Sequence, residues 1–191
     1  MDNYVRYDEI EDVLASTHLL AIVIPRLNQE PSLWKWAVIA AHNALQGAIV
    51  CALHDSIGVS VLTDKSARSV LKLHDQSNPL QGSLKDYPRE HLEQFWPLAW
   101  RLCRQNPRIR EQITRAQIRD IRKLQRRRNE FEHFTPKGWS IEKADLSKII
   151  GTAIEVIEVA MQHDKVTYRL TEDQVRRLSS NLGAVRTGLN S

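Results

Sequence analysis

The stretch from Trp34 to Leu53 constrains the fold more than any other, because past its first turn it is apolar on nearly every side. Its polar exceptions are His42, Asn43 and Gln46. A helix with no polar face has nothing to offer water, so it must be enclosed by other helices. The flanking segments have the matching character. Residues 7–27 place Ile10, Val13, Leu14, Thr17, Ala21 and Ile24 at the spacing of one buried stripe, and Pro25 ends or bends that helix. Residues 144–161 put Ile149, Ile150, Ala153, Ile154 and Ile157 on one face. Residues 171–189 do the same with Val175, Leu178, Leu182, Val185 and Leu189, and open with Thr171 and Gln174 at capping-box spacing. That last stripe either closes the bundle or pairs with another subunit.

Between these segments, residues 90–104 have helical character despite Pro97, and Pro107 separates them from a helix over 113–133. Thr135, Pro136, Lys137 and Gly138 stop that helix, since proline disfavours helical geometry in its predecessor and glycine permits the turn. Residues 54–88 mix a short helical stretch, 64–74, with Gly, Asn, Pro and Ser, the composition of an insertion-like region. Alternation of period two is nowhere long enough for a sheet, residues 166–170 coming nearest. The expected fold is therefore an all-α helical bundle, one domain over 1–191. It carries an irregular insertion-like segment at 54–88 and an additional C-terminal helix at 171–189.

A chain of 191 residues that is 42% hydrophobic can bury a core without covalent staples. Cys51 and Cys103 have no CxxC partner and no ligand-spaced neighbours, so they are expected to be buried free thiols, which suits a reducing cytoplasm. An acidic first segment and the lack of an uninterrupted apolar run argue against secretion and membrane spanning. Phosphate-binding glycine loops, HExxH and GxSxG are absent, and neither a metal nor a cofactor is expected.

Charge is segregated. From Arg101 to Arg128 there are eleven Lys or Arg against Glu111 and Asp120, a net +9, while the whole chain carries only +4. Local excess of this kind points to a polyanionic partner. At about 100° per residue, Arg115, Arg119, Arg122, Arg126, Asn129 and His133 fall within roughly 80° of one another on the helix wheel. Four guanidiniums thus lead to an amide and an imidazole, the order a phosphate track leading to a reactive centre would have. A solvated charged face would have it too. Arg128 falls instead among the apolar positions Ile121, Leu124 and Phe131. An arginine there needs a partner, and Glu132 at i,i+4 or a second subunit would supply one.

The run Arg128-Asn129-Glu130-Phe131-Glu132-His133, at the end of a long helix in a helical chain, resembles the R-x4-6-H motif of the HEPN superfamily. The specific likeness is these six residues, and a looser one extends over about 34–161. The resemblance implies a metal-independent ribonuclease of toxin or defence type, with two motifs brought together in a homodimer. It also implies a cognate antitoxin or regulatory protein as a further partner. On matching positions it makes Arg128, Asn129 and His133 catalytic. An imidazole titrates near neutrality and can move the 2′-hydroxyl or 5′-oxygen proton, a guanidinium can hold nonbridging phosphate oxygens, and the amide can orient the imidazole. Arg115, Arg119, Arg122 and Arg126 would then bind RNA. Arg128 and His133 are about 140° apart on an ideal helix, so either the helix loosens before Thr135 or two subunits share the site. The other reading is a non-catalytic helical dimer that binds nucleotide, nucleic acid or protein.

His42, Asn43 and Gln46 are expected to be buried and to satisfy one another or a neighbouring backbone; the other reading is that they back up the motif or line a ligand pocket. The five tryptophans are expected to pack in the core, with Trp139, beside Gly138, kept as a possible base contact.

Overall fold

A computed structural model describes residues 4–5, 7–75, 87–133, 136 and 138–190. Among them the chain forms nine α-helices: α1 (Glu9–Val23), α2 (Trp34–Leu53), α3 (Asp64–His74), α4 (Phe95–Gln105), α5 (Pro107–Gln112), α6 (Arg115–Glu132), α7 (Lys143–Met161), α8 (Asp164–Thr167) and α9 (Glu172–Leu189). Short 3-10 turns lie at Ile24–Arg26, Pro31–Leu33 and Val59–Val61. No strand occurs among the described residues, only an isolated antiparallel bridge between Leu62 and Leu92. The expected all-α bundle is the fold.

The central position of α2 follows from its lack of a polar face. It packs on α1, α4, α6 and α7, and its alanines at 37, 40, 41, 44, 48 and 52 are all buried, which lets those neighbours approach closely. Gly47 permits the close approach of α1. A Cβ there would lie 2.9 Å from Val13 Cγ2 and 3.0 Å from Asp12 Oδ2 on α1. By length and mean hydropathy the stretch Pro31–Leu33 plus α2 is apolar enough to cross a membrane, although His42, Asn43 and Gln46 interrupt it, and 72% of its most apolar window is buried within the bundle. Its apolar surface is spent on other helices.

Helix α1 starts where Asp8 accepts the Ile10 and Glu11 N–H groups at 2.9 and 2.8 Å, and it passes into a 3-10 turn at Pro25, which has no N–H to continue the ladder. Its stripe of Ile10, Val13, Leu14, Thr17, Leu20 and Val23 is buried. Helix α9 carries the capping box expected from Thr171 and Gln174, and buries Leu178, Leu182 and Val185 while Val175 stays exposed. It lies against α1 and α7, so its stripe closes the bundle. Asn181 Nδ2 donates to Leu14 O at 3.3 Å and Thr17 Oγ1 at 3.2 Å across that seam.

Several expectations change. Residues 90–94 are not helical: the Thr63 N–H donates to His91 O and the Glu93 N–H to Val61 O, both at 2.9 Å, which holds this segment extended beside residues 61–63. Residues 166–170 are not extended, since Val166 is buried on α8 and a turn follows. The helix expected over 113–133 begins at Arg115, after the separate α5. Within the insertion-like region, Arg101 of α4 donates to Leu62 O at 2.8 Å and reaches Asp64 at the start of α3 at 3.4 Å, and it also pairs with Glu93 at 3.0 Å. The rest of that region, 76–86, lies outside the described residues. Cys51 is buried as expected, whereas Cys103 is half-buried. Trp36 and Trp100 are exposed rather than packed in the core.

Candidate functional site

The basic helix α6 is fixed at its start by a capping box. Thr114 Oγ1 accepts the Gln117 N–H at 3.2 Å, and Gln117 Oε1 accepts the Thr114 N–H at 2.8 Å. Ile121 and Leu124 anchor it in the core beside α2 and α7, and the buried Asp120 carboxylate is matched by Lys148 at 3.3 Å. Burying that face turns Arg115, Arg119, Arg122, Arg126 and Asn129 outward, and all five are exposed along one side.

The helix ends at Glu132. His133 is its C-cap, with φ −107° and ψ 57°, and its N–H donates to Asn129 O at 2.9 Å. The departure from helical geometry therefore begins at His133, whose N–H still closes the last helical turn and whose side chain is exposed. There the chain forms a groove of about 650 Å³, lined by Arg122, Arg126, Arg127, Asn129, His133 and Trp139, with Glu130 among them. Arg115 and Arg119 continue the stripe along α6 but do not line this groove.

Arg127 was not singled out by the wheel, which sets it off the arginine stripe. Trp139 brings it into the site: the indole packs on Phe131 with centroids 5.0 Å apart, and the Arg127 guanidinium lies 6.0 Å from its centroid. Glu130 accepts from Arg127 at 2.8 Å and lies 3.9 Å from Arg126. The sequence signal for Arg127 is its i,i+3 relation to Glu130.

Arg128 is placed apart from His133, on the inner side of α6, and does not line the groove. Its Nη1 pairs with Glu132 at 2.9 Å and donates to Asn129 Oδ1 at 3.1 Å. Asn129 thus touches both sides, receiving Arg128 while lining the groove that holds His133. The Arg128 Nε is buried without a hydrogen-bond partner, as are both ring nitrogens of His42. His42 is 2% exposed and lies 4.9 Å from the Phe95 ring. Burial pushes its pKa down to about 4, the nearby positive charge of Arg128 adds to that, and the Asn43 amide opposes it. Of the expected mutual satisfaction of His42, Asn43 and Gln46, only the weak interaction of the Asn43 amide with the His42 ring is present. Asn43 is exposed and Gln46 half-buried, because one helix turns successive residues to different neighbours.

Chemically, the chain offers an imidazole, an amide and three guanidiniums on a single groove, a set suited to gripping phosphate and moving a proton. Among the described residues no three His, Cys, Asp or Glu side chains converge as a metal site would need. No protein family, curated protein or solved structure matches the chain.

Proposed function

We propose that the chain is a metal-independent endoribonuclease of HEPN type, cutting RNA by attack of the 2′-hydroxyl on the adjacent phosphorus at a site that two subunits share. The observation carrying this reading is that His133 and Asn129 share one groove with Arg122, Arg126 and Arg127. Cleavage of this kind needs a base to take the 2′-hydroxyl proton, an acid to give one to the departing 5′-oxygen, and cations for the charge on the nonbridging oxygens. The groove of one subunit supplies the cations but only one imidazole. A second copy related by a two-fold axis supplies another, so the dimer completes the acid and base pair. Arg115 and Arg119 extend the phosphate track along α6, and Arg128 acts through Asn129, which it holds by a hydrogen bond. Toxin or defence work in the cytoplasm, under control of a cognate antitoxin, is the setting this reading implies.

A non-catalytic module binding nucleic acid or protein is the second reading, favoured by one observation: Arg128 is already paired with Glu132. Purified protein incubated with single-stranded RNA and a chelator separates the two. The expected products carry 2′,3′-cyclic phosphate and 5′-hydroxyl ends, and His133→Ala lowers the rate by at least 100-fold, within the usual range for a proton-transfer group, while binding persists. Cleavage only on addition of a divalent metal, or a His133→Ala variant as active as the parent, would end the proposal.

A further inference from the structure

Arg122 belongs to the wall of a second groove as well. On its other side a groove of about 480 Å³ opens between α4, α5 and α6, with a floor formed by Leu45, Ile49, Ile121 and Val156. Trp96 and Trp100 of α4 form its aromatic wall, and Trp100 is 71% exposed. Arg104, Arg110 and Arg122 stand around it, and none of the three forms an ion pair among the described residues. The Arg122 guanidinium lies 5.5 Å from the Trp96 centroid.

We infer that this groove is a base-binding subsite for single-stranded RNA. An unstacked base lies against Trp100 and Trp96 above the aliphatic floor, and its flanking phosphates rest on Arg104, Arg110 and Arg122. From there the strand crosses Arg122 into the groove of His133. Every base has a flat π face, so stacking on an indole costs no sequence selectivity, and the aliphatic floor removes the base's other face from water. Guanidiniums left without carboxylates are free to take phosphate oxygens in paired hydrogen bonds. A duplex keeps its bases stacked and paired, so this subsite selects unpaired RNA. The inference rests on the ribonuclease reading for the neighbouring groove, and adds to it the form of RNA recognised and the residues that recognise it.

The test uses a short single-stranded 2′-O-methyl RNA, which offers no free hydroxyl for attack, carrying one 2-aminopurine. Binding to the intact protein is expected to quench the 2-aminopurine, and Trp100→Ala to weaken binding about tenfold and abolish the quenching, as loss of one stacked base does. Trp100→Phe restores most of both. Replacing bases by abasic spacers costs the parent protein the same factor and costs Trp100→Ala nothing further, which ties the loss to stacking rather than to folding. A duplex of the same sequence bound as tightly as the single strand, or Trp100→Ala binding as tightly as the parent, overturns the subsite. If that happens while unmodified RNA is still cut in a His133-dependent way, the ribonuclease reading survives alone. Absence of both binding and cleavage overturns both. Dissociation of a dimer by Trp100→Ala marks the groove as a protein interface and also overturns the subsite.

Discussion

His42 sits where an imidazole is hard to charge: both nitrogens are buried without a well-formed hydrogen bond, Phe95 lies on one side, and the positive charge of Arg128 outweighs the weak help of the Asn43 amide. In the unfolded chain the ring takes up a proton below about 6.5, whereas in the fold it does so only near 4. Between those values the unfolded chain binds a proton that the fold refuses, so stability falls as pH drops through that window and levels off beneath it. Shifting one group this far amounts to roughly 3 kcal/mol in the acid limit. His42→Leu should be neutral or stabilising at pH 7, since it removes an unsatisfied polar group of similar size. Urea titrations at pH 7 and pH 5 should show the parent losing about 2 kcal/mol more than the variant; equal losses would mean that the ring is hydrated or bonded. From sequence, His42 was recognisable as a polar intruder in an apolar helix. How poorly it is partnered was not, because that depends on where α4 and α6 cross. Arg128 is the reverse case. Its place among apolar positions and its pairing with Glu132 were both readable from spacing, but its separation from the groove of His133 depends on how the helix ends.

At the scale of elements, what was legible is what depends on local physics. The apolar pattern of α1, α2, α7 and α9, the capping box at Thr171, and the effect of Pro25 are settled within a few residues of chain. The extended run at 90–94 was not legible, because its backbone bonds go to residues 61–63. Nor was the exposure of Trp100, which follows from which face of α4 meets α2. Gly47 depends on a neighbour in the same way: its bare Cα lets α1 approach, and any larger residue must push Val13 and Asp12 aside. Gly47→Val should therefore destabilise the fold by about 2 kcal/mol through overpacking, despite the better helix propensity of a residue with a Cβ. A lowered thermal midpoint would register this. An unchanged midpoint would mean that α1 can shift without cost.

At the scale of the whole molecule, the positive charge gathered between Arg101 and Arg128 is carried by α4, α5 and α6; all three line the tryptophan groove, and α6 continues into the groove of His133. If a single strand of RNA follows them and neutralises about four phosphates, log affinity should fall against log salt with a slope near −3. Filter binding over a range of salt concentrations measures it. A flat response would make these arginines a merely solvated surface, the bland alternative that sequence alone left open.

Helices α1 and α9 lie side by side, yet more than 140 residues separate them in the chain. On the ribosome α1 emerges well before α9, which covers it. Until then, Leu14 and Thr17 have no Asn181 to meet, and the flank of α1 that α9 will shelter stays wet. Closure of this flank of the bundle thus waits on α9.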